Sequence, residues 1–106
     1  MIKFCKETKK LRKYLDDHGI KWFDKSDDFR DLVGFNFYIE RTHFILHDNF
    51  WSVIHGYGTY GGFNRLEKDR GLLELMTSEV NGGVPIGYFK AEDVIGFIEG
   101  RIIDAV

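Results

Sequence analysis

One cysteine, one proline, no charge excess and no long apolar run already exclude several classes of protein. Cys5 alone cannot close an internal disulfide, which fits a reducing compartment. No stretch approaches the ~20 apolar residues of a membrane span, and Met1–Cys5 lacks the apolar core of a signal peptide, so a cytoplasmic protein with no membrane partner is expected. A formal net charge of −2 gives no global field for nucleic acid, so nucleic acid is not an expected partner. Repeats, linkers and low-complexity segments are missing too, and the 106 residues read as a single domain, 1–106.

What is abundant is aromatic: ten Phe, five Tyr and two Trp in a chain that is 43% hydrophobic. The surplus either fills a small core or serves an interface or ligand pocket. Charge is distributed unevenly, with Lys3, Lys6, Lys9, Lys10, Arg12 and Lys13 at the start and Asp24, Asp27, Asp28 and Asp31 soon after.

Periodicity supplies the elements. Glu7 to His18 reads as a helix, with Leu11 and Leu15 on one stripe, the basic residues facing water and Gly19 ending it. Ile20 and Trp22 begin a short extended segment, and Asp24–Asp28 reads as a turn by composition. That run lacks the glycine and distal glutamate of a calcium loop.

From Val33 to Tyr57 three antiparallel strands are expected, with turns at Arg41–Thr42 and Asp48–Asn49. The second turn places Phe44, Leu46, Trp51 and Val53 on a core face and His43, His47 and Ser52 on a wetter one. Leu72 to Val80 reads as a short helix, Val84–Phe89 as an edge element because of Pro85, and Ala91 to Glu99 as the last helix. The apolar tail Arg101–Val106 is expected to pack, on this chain or on another subunit. The fold class is α+β: a small three- to four-stranded antiparallel sheet, an N-terminal helix and two short C-terminal helices.

The stretch Trp51–Gly62 stands out, a strongly apolar strand entering a loop of four glycines and two tyrosines. Gly56-Tyr-Gly58-Thr-Tyr-Gly61 matches G-x-G-x-x-G literally. The preceding strands form a meander and no helix follows directly, which argues against a dinucleotide fold. The chain is also too short for a protein kinase and lacks its H-R-D and D-F-G motifs. The local chemistry that remains is an anion-binding backbone, Thr59 as a donor, Tyr57 and Tyr60 as stacking faces, and Arg65 as a nearby charge. Tyr57, Gly58, Thr59, Tyr60 and Arg65 are therefore the candidate ligand site, for a phosphate-bearing small molecule. The alternative is a tight loop whose tyrosines pack on the sheet.

Catalytic and metal motifs do not emerge. His43 and His47 lie about 13 Å apart at strand rise, too far to share an ion, and His55 faces the other way. No G-x-S-x-G, H-E-x-x-H or P-loop occurs, and the only paired carboxylates are adjacent aspartates, which project apart. A binding protein is expected rather than an enzyme, with no cofactor and no metal.

The order of helix, Gly19-Ile-Lys-Trp22 segment, strands and closing helix resembles a known group. The matching residues are Leu11-Arg-Lys-Tyr-Leu15, Trp51 to Gly62, Gly71-Leu-Leu-Glu-Leu-Met76 and Gly87 to Ile95. The chain resembles short proteins encoded by phages and prophages of Gram-positive bacteria, a group with no agreed catalytic set. Where relatives often begin the last helix with Leu-Thr-Pro/Ala-Glu, this chain has Phe89-Lys90-Ala91, without the threonine cap.

The resemblance implies a non-catalytic inhibitor of host antiviral defence, acting in the host cytoplasm. It would sequester a nucleotide-derived signal, with a homo-oligomer completing the pocket. The alternative it implies is direct blocking of a host defence protein, as anti-CRISPR proteins do, through the Lys-rich helix or the Asp24–Asp31 run. A third is a small nucleic-acid-binding phage regulator, which the net charge disfavours.

Overall fold

A computed structural model describes residues 2–102. The fold is α+β, one antiparallel sheet with two helices on one face. The chain runs α1 (Lys6–Asp17), β1 (Trp22–Asp24), β2 (Asp27–Asp28), α2 (Arg30–Val33), β3 (Tyr38–Leu46), β4 (Asn49–Gly56), β5 (Leu73–Thr77), β6 (Ile86–Phe89) and α3 (Ala91–Ile98). The sheet order is β1-β3-β4-β5-β6, with β2 also on β3, so it is wider than the three or four strands expected. No helix among the described residues is long and apolar enough to cross a membrane.

The helix α1 forms where its Leu11–Leu15 stripe demands and ends as expected. Gly19 takes φ 66, its N–H bonds the Asp16 carbonyl, and Ile20 N–H bonds Leu15. The last helix solves its missing threonine cap with two carboxylates. Asp93 accepts from Lys90 N–H at 2.8 Å, and Glu7 reaches from α1 to accept from Ala91 N–H at 2.7 Å. Leu11, Leu15, Val94 and Phe97 then close over Phe44, Trp51, Val53, Leu73 and Leu75.

Several expectations are corrected. The turn at Arg41–Thr42 does not exist: β3 runs through it, because the pair contains no turn-forming residue and Thr42 continues the inward alternation of Glu40 and Phe44. Instead Phe35 and Phe37 lie outside the sheet, among aromatic rings. The Asp24–Asp28 turn is nearly extended, and β2 resumes the register of β1 on β3 after an interruption bridged by Lys25 N–H to Arg41 O and Arg41 N–H to Ser26 Oγ. The helix at Leu72–Val80 is the strand β5. Leu73, Leu75 and Thr77 point inward, Leu75 and Thr77 pairing with β4 and Leu73 with β6, so partnering strands overrode the helical propensity of Leu-Leu-Glu-Leu-Met.

The hairpin turn sits one residue earlier than expected, at His47–Asp48, with φ 53 and 60. Both angles positive make a type I′ turn, which suits the strand twist. Moving a turn by one residue shifts cross-strand partners by two, so parity is kept. Phe44, Leu46, Trp51 and Val53 share a face as expected, although Phe44 now opposes Trp51. Of the apolar tail, Ile102 lies against Gly96, and 103–106 fall outside the described residues.

Candidate functional site

At the end of β4 the chain enters the Gly/Tyr loop, where close backbone approach requires Gly56, Gly61 and Gly62. A Cβ on Gly56 would stand 2.3 Å from Tyr38 O, and one on Gly62 would stand 2.0 Å from Gly56 O. Thr59 locks the turn with its hydroxyl, which accepts from Gly56 N–H at 3.0 Å and donates to Gly56 O at 2.9 Å. The loop amides are largely spent internally. Gly58, Thr59, Gly62 and Phe63 bond loop carbonyls, and Tyr60 N–H bonds the Glu74 carboxylate at 2.8 Å. An anion-binding backbone is therefore not what this loop offers.

The five sequence candidates separate into two groups. Tyr57 stacks on Phe37 at 5.1 Å and packs against Phe35 and Phe63, inside an aromatic cluster. Arg65 lies over Phe35, 4.5 Å from its ring centre, on that same cluster. Gly58, Thr59 and Tyr60 instead line a cavity of about 270 Å³, shared with Asn64, Glu67, Arg70 and Tyr88.

Arg70 and Tyr88 thus stand beside Tyr60 where Arg65 and Tyr57 were expected. Tyr60 and Tyr88 are each about half exposed (52% and 53%), their ring centres 6.2 Å apart and 29° from parallel. The Arg70 guanidinium stands 5.3 Å from the Tyr88 ring centre. Tyr88 is held at φ 68, costly for a residue with a Cβ, and its N–H bonds Tyr60 O at 3.2 Å. Gly87 makes this contact possible, since a Cβ there would meet Tyr60 Cβ at 2.1 Å. That glycine beside a tyrosine was the available sequence signal for Tyr88.

A larger open groove, about 710 Å³, runs between Ile2–Phe4 and Asp24–Asp28. Its Phe4 ring is covered by Arg12 at 4.3 Å, Asp24 and Asp28 are bonded to Arg12 and Arg30, and Lys3, Lys9 and Ser26 complete the lining. Three of the four aspartates in the Asp24–Asp31 run are thus paired, Asp27 with Arg41.

A second cluster lies on the covered face, where the core rows end. Glu40 and His55 are cross-strand partners and almost fully buried (1% and 0% exposed). His55 Nδ1 meets Leu72 O at 2.7 Å, so this nitrogen donates, and Nε2 faces Asp69 at 3.2 Å and Glu40 at 4.0 Å. Glu40 accepts from Cys5 N–H at 3.1 Å. Burial, with the Glu40 charge adding, pushes the Cys5 thiol up. Burial together with the charges of Glu40 and Asp69 pushes the Tyr38 phenol up to about 12. His43 packs on Phe50 and His47 bonds Glu79, far from this cluster in role.

No protein-family model, curated protein or solved structure matches the chain.

Proposed function

We propose that the protein is a non-catalytic binding protein that captures a nucleotide-like small molecule beside Gly58–Phe63, and that it does so as an inhibitor of host antiviral defence in the host cytoplasm. One observation carries the binding half of this reading: the half-exposed Tyr60–Tyr88 pair, with Arg70 above it, at the mouth of a cavity in a loop locked by its glycines. Two exposed rings offer a planar group its stacking faces, and stacking contributes about 1–3 kcal/mol per base. The guanidinium supplies charge for a phosphate. A cavity of about 270 Å³ suits one base-sized group with its sugar. The defence half rests on the resemblance to phage and prophage proteins.

The test is thermal unfolding with mononucleotides, cyclic nucleotides and ADP-ribose-type compounds. A ligand at 100 times its Kd stabilises the native state by about 2.7 kcal/mol, a rise of roughly 10–20 °C for a domain of this size. Tyr60→Ala and Arg70→Ala should lose that rise. No rise with any of these compounds, or one that survives both substitutions, refutes the binding reading. In a host with nucleotide-signalled immunity, the wild-type protein should restore phage growth and Arg70→Ala should not.

Direct blocking of a defence protein is the second reading, and the open sheet face favours it. Phe23, Ile45, Phe50 and Met76 are exposed on the side that the helices leave bare. Under that reading Ile45→Glu abolishes co-elution with a host effector, and nucleotides have no effect.

A further inference from the structure

Apart from the tyrosine rim, the buried cluster at the start of α1 has no assigned purpose. Three parts of the chain meet there: Cys5 at the N-cap of α1, Glu40 on β3 and His55 on β4. The Cys5 Sγ, a Glu40 carboxylate oxygen and a His55 ring nitrogen all lie within 4.8 Å of one another. We propose that these three residues, with Asp69 closing the fourth position, bind a single divalent transition-metal ion, zinc being the species the ligand set fits best.

The charge balance of the cluster asks for a cation. Glu40 is buried, and among the described residues no Lys or Arg forms an ion pair with it. The adjacent guanidinium of Arg12 is already committed to Thr42, Asp24 and Arg41 O. Asp69 adds a second carboxylate at the His55 ring. Glu40 and Asp69 thus face one imidazole between them, and a bound metal offsets the negative charge that a single ring leaves over.

The geometry around the imidazole fits coordination. A metal-bound histidine usually donates its other ring N–H to a carbonyl or carboxylate, which fixes the tautomer and aims the free nitrogen. The 2.7 Å contact from Nδ1 to Leu72 O does this and directs Nε2 at the carboxylates. Glu40 can divide its oxygens, Oε1 keeping the Cys5 N–H and Oε2 lying on the His55 side. Tetrahedral bonds of 2.0–2.3 Å place ligand atoms roughly 3.3–3.8 Å apart, so Cys5, Glu40 and His55, which lie within 4.8 Å of one another, need to contract by up to about 1–1.5 Å. Cys5 precedes the first helical turn and Asp69 sits in a partly exposed loop, so two of the four ligands can make that movement.

Ligand chemistry narrows the metal. Thiolate favours zinc or copper(I), imidazole favours zinc, copper, iron or nickel, and carboxylate favours harder ions; zinc accepts all three donors. On binding, Cys5 Sγ and His55 Nε2 each release a proton to solvent, and the sulfur and the ring nitrogen take positions vacated by metal-bound waters. With four protein ligands the site is closed and structural, tying α1 to the sheet and the 64–71 loop to β4.

The experiment uses the full chain, stripped with a chelator and titrated with Co²⁺ and then Zn²⁺. A thiolate-to-cobalt charge-transfer band and intense tetrahedral d–d bands should appear, saturate at one ion per chain and vanish when Zn²⁺ is added. Cys5→Ser should keep the fold and lose the charge-transfer band. Asp69→Asn, at a partly exposed position, should keep the band and weaken Co²⁺ binding by at least about tenfold. Absence of the band, or its persistence in Cys5→Ser, overturns the proposal. So does Zn²⁺ retention through surface histidines alone, read as equal zinc content in wild type and Cys5→Ser. None of these readings involves a nucleotide, so the result is independent of the tyrosine rim.

Discussion

Replacing Gly62 by alanine tests whether the Gly/Tyr loop is held by backbone contact. An added Cβ would stand 2.0 Å from Gly56 O and 2.4 Å from Thr59 Oγ1, against an ordinary contact of 3.4 Å or more. The obstruction is backbone on one side and a doubly bonded hydroxyl on the other, so neither gives way cheaply. Gly56 O accepts from Thr59 N–H, Phe63 N–H and the Thr59 hydroxyl, and a displacement above 1 Å weakens all three bonds. At about 0.5–1.5 kcal/mol each, with about 1–3 kcal/mol for overpacking, the expected destabilisation is about 2.5–7.5 kcal/mol. Gly58 is the control. It has φ 76 but nothing within 4 Å of an added Cβ, so Gly58→Ala incurs only the conformational cost, about 1–2 kcal/mol. Urea unfolding followed by the fluorescence of buried Trp51 measures both. If Gly62→Ala costs no more than Gly58→Ala, the loop is not closed by these contacts and the rigidity assigned to the rim is wrong.

Leu75→Ala should cost about 2–5 kcal/mol in the same assay and Met76→Ala under about 1, because the strand buries one and exposes the other; equal losses would revive a helix there. Arg12→Lys should cost about 2–3 kcal/mol despite conserved charge, since the guanidinium bonds Thr42 and Asp24 while lying over Phe4 and Trp22; a neutral result would refute that role. Burial alone would raise Glu79, but hydrogen bonds from His47, Asn49 and Trp51 outweigh it and hold its pKa below the ordinary 4.5. Its stabilisation is therefore complete above pH 4.5 and lost as pH falls through the lowered value. Glu79→Gln should lose about 1–2 kcal/mol at pH 7, with the gap to wild type narrowing in acid; a gap that widens there would reverse the sign.

What could be read from the chain alone was whatever depends on local periodicity. Leu11 and Leu15 located α1, Val94 and Ile98 located α3, and the alternation around Phe44 and Trp51 fixed which hairpin face is covered. The segment Leu72–Val80 misled because its residues favour helix intrinsically, and only the free edge of β4 makes them a strand. Arg70 and Tyr88 escaped notice for a different reason. They come from a loop and from β6: Gly87 lets the backbone of Tyr88 reach Tyr60, and Arg70 is held to the loop by its N–H bond to Gly62 O. Glu40 and His55 were hidden by a phantom turn at Arg41–Thr42. With that turn in place, Glu40 belongs to another strand and its pairing with His55 cannot be seen.

The β3–β4 register then links the core to the polar cluster. Phe44 opposite Trp51 and Thr42 opposite Val53 form the apolar rows, and the next inward row is Glu40 opposite His55. All three rows are set by the two-residue turn at His47–Asp48, whose positive φ angles fix where the strands start to pair. One extra residue inserted in β4 beyond the turn would carry Trp51, Val53 and His55 together to the bare face, because side chains alternate with period two. Stability and any Co²⁺ signal should therefore be lost together in such an insertion. Asp69→Asn should instead weaken metal binding while leaving the apolar rows intact. A protein whose Co²⁺ response survives the insertion would hold its metal somewhere other than this row.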